Sequence, residues 1–266
     1  MNKRHQDILD TLKEHGARSY QEFSDQLGVT TMTIRRDADY LAGEGLIIKT
    51  LGGVQKGGAP VDYYESPMRS RITTRRREKR AIAECALQLV DSGQTLFLDG
   101  STTCLQLATL LHQHRQGLTI VTNSALISLE LAKSGENLAV CIGGLIDRDT
   151  ASYIGPIAEK NAKGFFVDLA FMSTKGFVPA EGTFESSVGN LRIKQLIAAQ
   201  CAELVLLVDH SKFGERALCK AIDTSQIQGV VTDDTTPESE LDYLRQHDKD
   251  VRVATFSGHT NNHCLR

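Results

Sequence analysis

The sequence lacks several things that would narrow its function at once. Its 266 residues carry no basic excess: 30 Lys and Arg against 33 Asp and Glu leave a formal net charge of −3. Any contact with nucleic acid must therefore come from local features. No run of about 18 apolar residues, the length a membrane helix needs, is present. No apolar stretch follows Lys3 and Arg4 either, so neither a membrane span nor a secretory leader is expected. The six cysteines (Cys85, Cys104, Cys141, Cys201, Cys219, Cys264) never form a CxxC pair. They are expected to be reduced packing residues of a cytoplasmic protein, not a disulfide framework. What remains is 41% hydrophobic and 24% charged, an ordinary globular composition. The length suits one large domain, or a small one with a medium one.

The first sixty residues carry helical periodicity. Ile8, Leu9 and Leu12 share one face of a helix over 5–15. Ser19 with Glu22 three residues on fits a capping box ahead of a short helix burying Phe23 and Leu27. Gly28 follows at a tight turn, and Thr30 caps a second helix that buries Ile34, Ala38 and Leu41. Thr31, Thr33, Arg35 and Arg36 are left outside at its start. Residues 46–49 and 51–54 read as two short strands, a wing. Two short helices about a glycine turn, the second presenting hydroxyls and arginines, form a helix-turn-helix. Arginine suits guanine edges and phosphates, and threonine suits phosphates and thymine methyls. Thr30, Thr31, Thr33, Arg35, Arg36, Lys49 and Lys56 are the candidate DNA-binding residues. A small protein-interaction module is the alternative, but it gives no reason for the paired arginines.

Residues 57–68 lack periodicity and hold two of the five prolines, so they read as a connector. Arg69, Arg71, Arg75, Arg76, Arg77, Lys79 and Arg80 follow. They read as the solvated start of a helix, with extra phosphate contact to DNA as the alternative.

Beyond residue 82 apolar runs recur at 95–98, 118–121, 138–142, 168–172, 204–208, 230–231 and 251–254, mostly separated by helix-like stretches. Strands buried on both faces and alternating with helices give a largely parallel α/β sheet. Ligands of such sheets sit outside the carboxyl ends of the strands. Asp99, Gly100, Ser101, Thr102 and Thr103 follow the first strand and open a helix, which makes an anion cradle or a plain capped turn. Asn123, Gly143 with Gly144, Lys175, and Asp209 with Lys212 follow later strands. Lys175, Lys212 and Arg148 could neutralise a phosphate. Asp99, Asn123 and Glu185 could hold sugar hydroxyls. Arg192 and Lys194 are expected on a solvated helix face, and Cys104 in the core. His259, His263 and Cys264 have metal-ligand spacing, but the polar tail is expected to fray. No metal or cofactor is expected.

Two resemblances bear on this reading. Residues 5–56 resemble the DNA-binding domain of the DeoR family of sugar-operon repressors. The matching residues are Ile8-Leu9, Gly28-Val29-Thr30, Thr33-Ile34-Arg35-Arg36-Asp37, Leu41, Gly45-Leu46 and Gly52-Gly53. Leu51 stands where the family usually has histidine. Residues 75–258 resemble the DeoR sensor domain, similar in fold to ribose-5-phosphate isomerase and the CoA-transferases. That match rests on Leu98-Asp99-Gly100-Ser101-Thr102-Thr103, Thr122-Asn123-Ser124, Gly143-Gly144, Asp168-Leu169-Ala170-Phe171, Val208-Asp209-His210-Ser211-Lys212-Phe213 and Thr232-Asp233. After the fourth strand, Ser173-Thr174-Lys175-Gly176 replaces a Gly-Ala-Asp-Gly-like loop and adds a positive charge.

The resemblance implies a winged helix-turn-helix over 1–57, a linker over 58–74, an α/β sensor over 75–258 and a flexible tail over 259–266. It implies a non-enzymatic repressor of a carbohydrate operon. Its partners would be double-stranded operator DNA, a phosphorylated sugar, and further copies of itself as a dimer or tetramer. A fused sugar-phosphate isomerase is the rival, but the acidic residues such an enzyme needs after the fourth strand are Ser173, Thr174 and Lys175 here.

Overall fold

The computed structural model describes residues 3–15, 17–43, 46–50, 52–56, 68–133, 136–255 and 264–265. The chain divides into two compact units, Met1–Pro60 and Val61–Arg266.

The first unit runs α1 (Lys3–His15), β1 (Ala17–Ser19), α2 (Tyr20–Leu27), α3 (Thr31–Gly43), β2 (Ile47–Lys49) and β3 (Gly53–Lys56). Its core joins Ile8 and Leu12 of α1 to Tyr20, Phe23, Ile34, Ala38, Leu41, Ile47 and Val54. The capping box forms: Ser19 Oγ accepts the Glu22 N–H at 3.1 Å, and Glu22 accepts the Ser19 N–H at 2.7 Å. Beyond the two wing strands, β1 adds a third, in the order β1-β3-β2. That pairing needs a glycine at position 53. A Cβ there would lie 2.2 Å from the Arg18 carbonyl oxygen.

The second unit opens with α4 (Met68–Thr73) and α5 (Arg76–Leu87), then alternates β4 (Thr95–Leu98), α6 (Thr102–His114), β5 (Thr119–Thr122), α7 (Ala125–Leu131) and β6 (Leu138–Cys141). A hairpin, β7 (Leu145–Asp147) and β8 (Ser152–Ile154), leads to α8 (Gly155–Ala162) and β9 (Val167–Met172). Then come β10 (Gly176–Val178), β11 (Gly182–Glu185), α9 (Val188–Ala198), β12 (Cys201–Leu207), β13 (Cys219–Lys220), β14 (Gly229–Asp233), α10 (Glu238–Gln246), β15 (Asp250–Ala254) and β16 (Cys264–Leu265).

The main sheet has the order β16-β15-β14-β12-β9-β4-β5-β6. It is parallel apart from β16, which pairs antiparallel with β15. Alternation along each strand supplies both faces. Leu96, Leu98, Phe171, Val205 and Leu207 pack under α5, α6 and α7, while Phe97, Ala170, Met172, Leu204 and Leu206 face the other side with Ile193 and Ile197 of α9. From β4 the chain moves outward through β5 and β6, and from β9 it moves the opposite way. The strand order therefore reverses between β4 and β9, the crevice where open α/β sheets take ligands.

Two expectations change here. The cysteines are not all free: Cys85 of α5 and Cys264 of β16 form a disulfide across 179 residues. Cys264 and Leu265 accordingly belong to the sheet edge and not to a frayed tail. The edge pairing supplies main-chain hydrogen bonds that tail composition does not reveal. Residues 259–263, and with them His259 and His263, lie outside the described residues, as does most of the expected linker. The last part of that linker is helix α4.

Candidate functional site

At the switch point β4 and β9 are tied by one carboxylate. Asp99, just past β4, accepts the Ser173 N–H just past β9 at 3.0 Å and the Ser101 N–H at 3.1 Å. Lys194 of α9 closes the arrangement. Its ammonium donates to Ser173 O at 2.6 Å, lies 3.1 Å from Asp99 Oδ2 and is hydrogen-bonded to Glu185 at the end of β11. All three charged groups are buried. Burial alone would push the Lys194 ammonium down, yet Glu185 and Asp99 outweigh it and hold the group above the usual lysine value. Burial would likewise raise the Asp99 carboxyl. Lys194 and the donors from Ser101 and Ser173 reverse that and keep it ionised. One ammonium faces two carboxylates.

The expectation that Lys194 lies on a solvated face is therefore wrong, whereas Arg192 is exposed. Asn190, Leu191, Ile193, Lys194 and Ile197 form the buried face of α9. A lysine in phase with that apolar stripe was the available signal. Asn190 was missed as well. It accepts from Asn123 Nδ2 at 3.3 Å and donates to Thr150 Oγ1 at 3.2 Å. Asn123 Oδ1 is buried and has no hydrogen-bond partner. It faces Gly100, where a Cβ would lie 3.8 Å from it and 2.0 Å from Ser152 Oγ. Gly100 thus lets Ser152 pack against the loop, and the orphaned Asn123 Oδ1 beside it is the kind of acceptor a ligand hydroxyl would complete.

The remaining candidates distribute unevenly. Ser101 caps α6 through the Cys104 N–H at 3.1 Å, and Thr102 and Thr103 are buried in the first turn. Gly143 and Gly144 turn β6 into β7. Gly144 closes onto α8, where a Cβ would meet Ala158 Cβ at 2.8 Å, while Gly143 has open space around it and a left-handed φ of 66°. Lys175 is half-buried, and its N–H bonds to Phe184 O at 3.2 Å. Arg148 is exposed. Cys104 is a core thiol donating to Phe171 O at 3.4 Å, pushed up by burial.

Asp209 and Lys212 stand apart from Asp99, at the carboxyl end of β12. Asp209 is buried, and Ser211 donates to it from both N–H and hydroxyl. Arg75 Nε lies 3.7 Å from the same carboxylate. Burial would raise this carboxyl, but Lys212, Ser211, Arg75 and Lys79 hold it low. Next to it His210 Nδ1 is 2.9 Å from Asp233 Oδ1 and 2.7 Å from Thr235 Oγ1. Lys79 is not solvated as expected. It is buried on the α5 face shared with Ile82, Ala83 and Ala86.

In the first unit Arg35 and Arg36 are exposed on α3. Asp37, next in sequence, is buried and bound to Arg4 and to His5 Nε2, the latter at 3.0 Å. That anchor fixes which way the two arginines point. Arg35 also lies over the Tyr20 ring, 4.8 Å from its centroid. Thr30 is exposed and caps α3 through the Thr33 N–H at 3.2 Å, with Thr31 and Thr33 half-buried beside it. Lys49 on the wing pairs with Asp39. Lys56 ends β3, and its side chain lies outside the described residues.

Residues 4–56 match the DeoR-like helix-turn-helix domain, and residues 74–234 match the DeoR C-terminal sensor domain. The chain belongs to the DeoR family. It is 31% identical to the uncharacterized HTH-type transcriptional regulator YgbI of Escherichia coli K12, over 95% of this chain and 97% of that one. It is 29% identical to the glycerol-3-phosphate regulon repressor of the same organism, over 92% of this chain and 96% of that one. Among solved structures, ribose 5-phosphate isomerase A from Neisseria gonorrhoeae overlaps 52% of this chain and 53% of that one, with a TM-score of 0.38 and 16% identity. That likeness carries no functional argument. This DeoR-family chain is a DNA-binding transcriptional regulator, and the isomerase alternative is not favoured. No helix among the described residues is long and apolar enough to cross a membrane.

Proposed function

We propose that this regulator represses a carbohydrate operon in the cytoplasm and is released from its operator by a phosphorylated sugar. The sugar occupies the crevice between β4 and β9. One observation carries this reading: the buried Asp99, Lys194 and Glu185 cluster, with the unpartnered Asn123 Oδ1 opposite Gly100. Buried polar groups left incomplete in a crevice are costly unless a ligand pairs with them. Asp99, Glu185 and Asn123 hold sugar hydroxyls. The loop Gly100, Ser101, Thr102 and Thr103 lines the same crevice, with Gly143, Gly144 and Lys175 on its outer side. Asp209 and Lys212 form its far end.

Thr30, Thr31, Thr33, Arg35 and Arg36 of α3 contact the major groove, and Lys49 and Lys56 contact flanking phosphates. The chain acts as a dimer or tetramer, since paired half-sites need paired heads. A sugar releases DNA only by its differential affinity for the two states.

Thermal-shift screening against pentose and hexose phosphates tests the reading. A ligand selective for the folded state raises the melting temperature and should lower operator affinity, and Asn123→Ala should lose the shift. Absence of any shift across the panel would refute the proposal.

A further inference from the structure

The two edges of the main sheet are finished differently. At one edge β16 pairs with β15, and the disulfide between Cys264 and Cys85 fastens β16 to α5. Next to it β15 carries an Asp250–Arg252 ion pair at 3.0 Å. At the other edge β6 ends the strand order, and no described strand covers its outer side. Its sequence, Leu138-Ala139-Val140-Cys141, holds neither a charge nor a proline, and Leu138, Ala139 and Cys141 are exposed. A bare edge strand is a template for another strand, and proteins normally guard it with lysine, proline, a bulge or a covering segment. Among the described residues β6 has none of these guards.

The bare edge continues into an apolar face. The Tyr153 side chain of β8 meets the Cys141 thiol, which sets the β7–β8 hairpin beside the end of β6. Leu145 of β7 lies at the head of α8, where a Cβ on Gly155 would stand 3.4 Å from its Cδ1. Asn161 of α8 donates to Ile142 O at 2.8 Å, just past β6. Ile157 stands one turn before Asn161 on the same face of that helix. Val188 opens α9, whose Gly189 abuts Ile154 of β8. Leu138, Leu145, Ile146, Ile157 and Val188 each expose more than half of their surface. From Leu138 to Ile146 no side chain is charged. Each of the five contributes on the order of 100 Å² of apolar surface, so together they offer about 500 Å² per copy. A standard dimer buries about 800 Å² per partner, and about 65% of a homodimer interface is apolar. The face supplies that apolar share.

We infer that a second copy of this chain seats its own β6 and β7–β8 hairpin on this face, edge to edge about a two-fold axis normal to the sheet. A two-fold contact sets a patch against itself, which uncharged side chains permit and a patch of one sign opposes. Under that axis the two β6 strands run antiparallel, and their outer main-chain groups complete each other's hydrogen bonds. The inference rests on the paired-head reading of the regulator and adds which surface the copies share.

Sedimentation of the full chain over a concentration series is the test. Leu138→Lys, Ile146→Glu and Ile157→Glu place charges on the face. Phe166→Glu is the control, since Phe166 is an exposed apolar side chain just before β9, three strands away from β6. All four replaced side chains are exposed, so circular dichroism should show wild-type folding. Each face variant should weaken self-association by about ten-fold or more, because the contact would bury an unpaired charge from both copies. Phe166→Glu should assemble like the wild type. If the wild type is a tetramer, the face variants should stop at dimers. Should one face variant fail to fold, the other two decide. Face variants that assemble like the wild type overturn the inference and leave the paired-head reading standing. A wild type that stays monomeric overturns both.

Discussion

Lys79 and Lys194 are both buried lysines of the second unit, and their surroundings give them opposite properties. Lys194 has two carboxylates and is held charged. Lys79 has backbone carbonyls only, and its ammonium falls to about 8 from 10.5. The sign of the pH dependence follows. Below 8 the lysine is protonated in both folded and unfolded states, and burying that charge costs stability. Between 8 and 10.5 the unfolded chain holds more protons, so stability rises with pH and the cost is relieved. The shift corresponds to about 3 kcal/mol. The wild type should therefore gain stability relative to Lys79→Met as pH climbs from 8 toward 10.5, because the variant has no group titrating there. Urea denaturation at stepped pH measures it. Both lysines were legible in principle, because each stands in phase with its helix's apolar face. Their readings as solvated residues came from treating charge as a surface property.

Among the elements, α3 and the parallel strands were the most readable. Ile34, Ala38 and Leu41 repeat at helical spacing, and the runs at 95–98 and 204–208 are continuous and apolar. The hairpin β7–β8 and the small sheet of β10, β11 and β13 were not readable, because strands of two to four residues carry too few alternations. The β16 pairing depends on contacts distant in sequence, which local pattern cannot carry. Nor could spacing reveal that Asp37 is the anchor between α1 and α3. Burial alone would raise its carboxyl, yet Arg4 and His5 hold it below the ordinary 3.8. Its contribution is present above that value and is lost as pH falls through the lower folded value. Asp37→Asn should therefore lower the melting temperature of the DNA-binding unit near neutral pH, and the difference should shrink in acid. Circular dichroism melts at pH 7 and pH 3 read this directly, and equal losses at both would count against the ion cluster.

For the whole molecule, we propose that DNA meets the exposed face of α3 and the metabolite the carboxyl edge of the parallel sheet. The net charge of −3 makes the first assignment a local matter, carried by Arg35 and Arg36. The most direct test is duplex affinity against salt concentration, with a sequence enriched from a random duplex library, for the wild type and Arg35→Ala. The wild type should bind more weakly as salt rises, since phosphate contacts release counterions. Arg35→Ala should lose about 1–3 kcal/mol of affinity and keep the wild-type thermal shift with sugar phosphates. A wild-type chain that ignores every duplex at low salt, or an Arg35→Ala chain that binds as tightly as the wild type, would contradict the account.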